Sequence, residues 1–181
     1  MVVHLLWIIN QSGQLIARLG FTEPALLGEL GTKPDLQLTL SSVLFSTYGM
    51  SLEITPNVNP MDSSGMHLVE CEEHNIHIYE TPTLVKFVLV SDNATMEVNK
   101  LCRELHAAYV EYAVKNPFHI MDEAGIGQPI RIPDFSAAVR GIVGRYNSGA
   151  AFTSTVSSPG AGSGGATANA RSNTQSTGRS K

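Results

Sequence analysis

The sequence predicts an α+β domain in which helices cover an antiparallel sheet. Short apolar runs bounded by turn residues recur in two clusters, within residues 3–19 and 66–90. Single helical patterns follow each cluster, so the order reads ββ-α-βββ-α-α. The repeated strand–helix alternation of a parallel sheet is missing, which points to antiparallel pairing.

The first strand spans Val3 to Ile9. By strict alternation Val3, Leu5, Trp7 and Ile9 share one face, with Leu6 and Ile8 on the other. A strand apolar on both faces is one covered on both sides, because a half-exposed strand alternates with polar residues. Asn10 to Gly13 supplies a turn in which Gly13 can adopt positive φ. Leu15 to Leu19 returns as the second strand, with Arg18 on its wetter face.

Thr32, as a cap, and Pro34, in the first turn, mark a helix start. Leu36, Leu40, Val43, Leu44 and Tyr48 recur at helical spacing, although Leu36, Leu38 and Leu40 also alternate as in a strand. Pro56, Asn57, Asn59, Pro60, Ser63, Ser64 and Gly65 read as a loop. Three strands follow, at Met66 to Cys71, Ile76 to Thr81 and Leu84 to Val90. A turn through Glu72 to Asn75 separates the first two, and Pro82 with Thr83 precedes the last. That last run is apolar apart from Lys86, so it too is read as central.

A long helix is predicted from about Thr95 to Lys115, with Val98, Leu101, Cys102, Leu105, Ala108, Tyr109, Tyr112 and Ala113 in one apolar stripe. Asn116 before Pro117 ends it. A final helix, Phe135 to Tyr146, places Phe135, Val139, Ile142 and Val143 at three- and four-residue spacing. Residues 1–147 therefore form one domain. From Ser148 the chain turns to Gly, Ser, Ala, Thr and Asn, too poor in apolar surface to offset ordering, so 148–181 is read as a disordered tail.

Charge narrows the function classes. The chain carries 12 basic and 16 acidic residues, a net −4. Three of the bases (Arg171, Arg179, Lys181) lie in the tail, which has no acid, leaving the folded part nine bases against 16 acids and a charge of −7. A nucleic-acid binder needs a basic face, and adsorption to anionic lipid needs one too; neither fits. No apolar run approaches the length of about 20 residues that spans a bilayer. Val2 to Ile9 has neither the basic flank nor the cleavage site of a signal peptide. Cys71 and Cys102 have no disulfide-framework spacing and read as reduced thiols of a cytosolic chain.

The most enzyme-like cluster is His67, Glu70, Cys71, Glu72, Glu73, His74 and His77. Cys71, His74 and His77 are zinc-ligand types, but strand alternation puts His67, Cys71 and His77 on one parity and His74 on the other. An exposed hairpin rim is the reading adopted, with no metal and no cofactor. A serine nucleophile would need an elbow that is absent, and Cys102 falls within the apolar stripe of the long helix. Gly125 and Gly127 lack the strand, lysine and helix of a phosphate loop. No catalytic residue is expected.

Several ordered segments carry a resemblance. The opening "LLWIINQSGQLI", then "YETPTLVKFVLVSD" (Tyr79 to Asp92), "YAVKNPFH" (Tyr112 to His119) and "QPIRIPDF" (Gln128 to Phe135) together resemble the synbindin subunits of the TRAPP vesicle-tethering complex. The resemblance covers Val2 to Tyr146. It implies a longin-like (profilin-like) fold: a five-stranded antiparallel sheet with one helix on one face and two on the other. It also implies a non-catalytic core subunit whose partners are other TRAPP subunits. A Rab-type GTPase would be met only as part of the complex, a nucleotide-exchange factor in ER-to-Golgi transport. The chain would then be cytoplasmic, peripheral at the endoplasmic reticulum and cis-Golgi through the complex. Two departures stand out. The loop Met121 to Gly127 is longer than in the family, and Phe21 to Lys33 leaves no room for the PDZ-like insert some synbindins carry. Other longin proteins, such as adaptor small subunits or sedlin-type chains, and less favourably a metal-dependent enzyme, remain as rivals.

Two stretches are candidates for partner contact. Ala107, Val110 and Val114 form an apolar strip beside Arg103, away from the core stripe, and either dock a neighbour or are ordinary surface residues. In Lys115 to Phe118, Asn116 can take the left-handed cap position and Phe118 can fold back on the sheet, or Lys115 and Phe118 can touch a partner. Arg131 has either helix carbonyls or an acid as its target. Because the tail adds no packed apolar area, ending the chain after Asn147 should leave the thermal midpoint nearly unchanged. A drop of many degrees in differential scanning calorimetry would show that the tail docks.

Overall fold

The two strands expected at the centre of the sheet lie there. A computed structural model describes residues 2–23, 27–54, 65–92, 98–119 and 128–149. Five strands, β1 (Val3–Ile9), β2 (Leu15–Gly20), β3 (Leu68–Glu70), β4 (His74–Glu80) and β5 (Lys86–Asp92), form one sheet in the order β2-β1-β5-β4-β3. Every neighbouring pair is antiparallel. The helices are α1 (Gly28–Thr32), α2 (Pro34–Ile54), α3 (Val98–Tyr109) and α4 (Pro133–Asn147), and a π-helical turn (Val110–Val114) extends α3. This is the expected longin-like arrangement, with α2 on one sheet face and α3 and α4 on the other. The α1 turn was not anticipated. The predicted loop at 56–64, the helix start at 95–97, the insertion at 121–127 and the tail from 150 lie outside the described residues.

β1 and β5 are buried on both sides. Leu5, Trp7, Ile9, Val88 and Val90 pack beneath α2, whereas Leu6, Ile8, Phe87 and Leu89 pack beneath α3 and α4. Val3 departs from the simple alternation. The register with β5 slips between Val3 and Leu5, so a bulge at His4 turns Val3 to the α3/α4 side with Leu6 and Ile8. The β1–β2 turn is as expected: Gly13 has φ +84°, and Asn10 Oδ1 accepts the amides of Ser12 and Gln14.

The helix ends differ from the sequence reading in two places, Thr32 and Asn116. Thr32 does not cap α2; it ends α1, and its hydroxyl donates back to the Gly28 carbonyl. Residues 36–40 are helical, which removes the strand alternative. Asn116 is not left-handed, since Leu84 is the one non-glycine residue of positive φ among the described residues. Instead the Asn116 side chain accepts the Phe118 amide at 2.9 Å, an Asx turn that competes with the cap conformation.

The α3/α4 face is closed at both ends by polar bonds. Asn147, at the end of α4, accepts from Val3 N at 2.9 Å and donates to Val3 O at 3.2 Å. The Ile130 amide reaches the Ile16 carbonyl at 2.7 Å, so the segment before α4 runs along the outer side of β2. It satisfies part of an edge that would otherwise be free to pair with another chain.

Burial holds His4 and His77 below the ordinary histidine value of 6.5, and for His4 the neighbouring His74 adds to the effect while Asp92 opposes it. As pH falls below that value, the unfolded chain therefore takes up these protons before the folded one does. The stability they leave intact at neutral pH is lost on acidification. The urea midpoint should fall between about pH 7.5 and about pH 5.5, and less so in His77→Gln. Equal midpoints at both pH values would show that the fold does not keep these rings neutral.

Candidate interaction surfaces

α2 lies alone across its sheet face, and its sequence fits that position poorly at first sight. From Leu36 to Leu52 it has no charged residue, and leucines fall on all sides. Its buried positions are Gln37, Ser41, Leu44 and Tyr48. The predicted stripe is thus half right: Leu44 and Tyr48 face the sheet and Leu40 packs at its margin, whereas Leu36 and Val43 face outward. Gln37 wins an inward position over the leucines because it satisfies buried groups. Its amide nitrogen donates to Leu30 O, and its oxygen accepts from the Trp7 indole at 3.4 Å.

The outward face that results is apolar and uncharged. Leu36, Leu38, Val43, Met50 and Ile54 are all exposed. Thr39, Ser42, Ser46 and Thr47 lie among them, their hydroxyls folded back on carbonyls one turn earlier. The small residues leave a shallow, open depression on the helix surface, bordered by Leu38, Val43 and Met50. A surface with apolar walls, a floor of self-satisfied hydroxyls and no charge has little affinity for water to lose on docking. The sequence reading missed it, although the charge-free stretch was its signal.

The far half of α2 is fastened to the sheet by a charged cluster. Glu80 and Lys86 are direct cross-strand partners at the β4–β5 turn. Lys86 Nζ lies 2.8 Å from Glu80 Oε1, with the lysine side chain only 7% exposed. Tyr48 donates its hydroxyl to Glu80 Oε2 at 2.7 Å. The ammonium also sits 4.8 Å from the Tyr48 ring centre and 4.9 Å from that of Phe45. Burial, then the bond to Glu80, raises the Tyr48 pKa, keeping the phenol a donor. The turn below is shaped by Thr81, whose hydroxyl accepts the Val85 amide while Leu84 takes φ +61°.

The residues singled out for partner contact lie at the end of α3. Val114 is 52% exposed and Phe118 89% exposed, so Phe118 stands out from the sheet and does not fold back onto it. Val110 is half-buried and packs on the α3/α4 core. Lys115 is exposed and paired with Glu111. Phe118 and Arg131 border a shallow polar cleft of about 210 Å³ with Asn116 and His119.

A family model described as the sybindin-like family matches residues 3–145. The chain belongs to the sybindin-like family. Among curated relatives, the trafficking protein particle complex subunit 4 of Homo sapiens is 29% identical over 86 residues, 48% of this chain and 38% of that protein. The Dictyostelium discoideum subunit 4 is 26% identical over 66% of this chain and 83% of its own. A subunit 1, from Rattus norvegicus, is 32% identical over 39% of this chain and 52% of its own. The alignments thus span about two-fifths of the mammalian subunit 4 proteins. Among solved structures, Myxococcus xanthus MglB superposes with a TM-score of 0.40 at 17% identity, over 60% of this chain and 85% of that one.

In this sybindin-like domain the enzyme-like cluster is dispersed. His77 is bonded to Ser91 at 3.0 Å, His74 packs edge-on against His4 at 5.5 Å, and Cys71 is exposed. The described residues contain no group of three such side chains placed to hold a metal ion. Cys102 is buried in α3, and burial pushes its thiol up to about 12. Iodoacetamide at about pH 8 should therefore alkylate one thiol per native chain, Cys71, and the second only after unfolding. Two equivalents labelled at equal rates in the native protein would contradict the buried position of Cys102.

Proposed function

We propose that this sybindin-like chain is a non-catalytic subunit of a TRAPP-type vesicle-tethering complex and docks on a neighbouring subunit through the outer face of α2. The observation that carries the reading is that face, apolar and without charge along most of a 21-residue helix. Family membership and relatives named as subunits of the trafficking protein particle complex support the kind of neighbour. Such a face suits a partner subunit better than a lipid headgroup or a nucleic acid, both of which reward positive charge. Val110, Val114, Lys115 and Phe118 form a second, smaller contact on the opposite sheet face.

In this reading the chain serves a Rab-type GTPase only as part of an assembly. Each subunit contributes a share of a composite surface of ordinary interface size. It works in the cytoplasm, reaching endoplasmic reticulum and cis-Golgi membranes peripherally through the complex, in ER-to-Golgi transport.

The test is affinity purification of the tagged chain from its native cell, with co-purifying chains identified by mass spectrometry and nucleotide release measured on a Rab-type GTPase. The wild-type eluate should contain TRAPP subunits and accelerate release, whereas the isolated chain should not. Val43→Asp with Met50→Asp should lose those subunits, by about tenfold or more for a lost buried anchor pair, while still melting cooperatively. If the double variant keeps every subunit, α2 is not the docking face. Exchange catalysed by the lone chain would end the scaffold reading.

A further inference from the structure

We infer that Lys86, Glu80 and Tyr48 are positioning residues for the α2 docking face, setting the rotation and tilt at which the helix presents it. The inference rests on the docking role proposed for that face.

Few of the side chains that α2 turns to the sheet are fully buried. Two of its four buried positions are polar, Gln37 and Ser41, and Leu44 is the one aliphatic side chain among them. Leu40, Phe45 and Leu52 add partly buried apolar contacts, but apolar contact is non-directional and by itself permits the helix to roll or slide. Directional attachments remove that freedom: the Met66 amide donates to Ser51 Oγ at 3.0 Å near the end of α2, and two more lie before it. Gln37 is bonded to Trp7 and Leu30 near the start of α2, and Tyr48 is bonded to Glu80 eleven residues on, about 16 Å along the axis. A roll of about 30° about an axis carrying side chains to a radius of about 5–6 Å would shift the outer face by about 3 Å. That is enough to unseat a packed partner.

Lys86 makes the Tyr48 attachment rigid. Its ammonium holds one oxygen of Glu80, leaving the other to receive Tyr48. It also sits against both aromatic rings of α2 on that side. Glycines form the opposing walls. A Cβ at Gly13 would lie 2.8 Å from the Phe45 ring, and one at Gly65 would lie 2.6 Å from the Tyr48 ring, both at positive φ. Stability alone does not call for this design. A buried ion pair gains little over well-packed apolar residues of similar volume, and its distinct contribution is a fixed geometry.

The test uses the full tagged chain in its native cell, with two readouts: the thermal midpoint and the TRAPP subunits retained, identified by mass spectrometry. Lys86→Met with Glu80→Leu removes both charges and keeps volume. It should melt within a few degrees of wild type yet retain about threefold less of those subunits or lower. Tyr48→Phe keeps the ring, removes the bond to Glu80 and should fold, so it decides the matter if the double variant does not; it too should retain less. Wild-type retention in Tyr48→Phe, or in a double variant of unchanged midpoint, would overturn the inference while leaving the docking face in place. Full retention in Val43→Asp with Met50→Asp would instead remove the docking reading, and the inference with it.

Discussion

Two central strands with apolar side chains on both faces impose the constraint from which the rest of the structure follows. β1 and β5 must be covered twice, since each large side chain left in water forfeits about 1.5–3 kcal/mol of burial. On one face α3 and α4 share the task, and their inward positions are ordinary: aliphatic and aromatic residues with one buried cysteine, Cys102. On the other face, among the described residues, α2 works with a short α1 beside it. One helix cannot lay a stripe wide enough for a five-stranded sheet, so the sheet supplies bulk itself through Trp7. Polar groups caught under α2 are satisfied locally, the indole by Gln37 and the ammonium of Lys86 by Glu80.

The same constraint explains why the outer face of α2 is unusual. A surface helix normally separates apolar inward residues from charged outward ones. α2 does not: its charges stop at Asp35 and resume at Glu53, and leucine, valine and methionine continue around the outside. A helix selected only to cover a sheet has no reason to keep charge away from water. Under the proposed docking role, its outer face serves as a second inner face.

Much of the fold was legible because β1, β2, β4 and β5 combine short length, apolar runs and turn residues. Strand β3 is regular only over Leu68–Glu70, although His67 O and Cys71 N still bond to Ile78 N and His74 O of β4. Misreadings arose where one local preference outweighed another. Helical spacing placed Leu36 and Val43 inward, but with leucines all round α2 the phase is set by Gln37 and Tyr48, whose polar atoms bond to Trp7, Leu30 and Glu80. Strict alternation misplaced Val3 because a bulge at His4 cannot be seen in a pattern that counts residues. Asn116 was given a left-handed cap; an Asx turn uses the same side chain at lower conformational cost. Of the candidate contact residues, Val114 and Phe118 stand exposed, whereas Val110 lies half against the core, since the π turn beginning there keeps it close to α4. Lys86 stood out as the lone charge in an apolar strand. Its partner was harder to find, because Glu80 lies across a turn whose shape depends on the Thr81 hydroxyl.

Under the proposed reading, the placement of the two apolar surfaces bears on how the chain would fit an assembly. α2 lies on one sheet face; Val114 and Phe118 lie at the end of α3 on the other. A chain with a single self-complementary patch closes into a dimer, and its association ends there. Two unlike surfaces on opposite faces cannot be satisfied by one copy of one partner in that way. Under the proposed reading, the larger α2 face seats one neighbour and the smaller site touches another. The rigid sheet between them then sets the angle at which the two neighbours meet. In that arrangement the attachment of α2 matters beyond its own stability: a helix free to roll would let one neighbour drift relative to the other. Buried charge at the β4–β5 turn, a poor contributor to stability by itself, is then well suited to keep a composite surface in register.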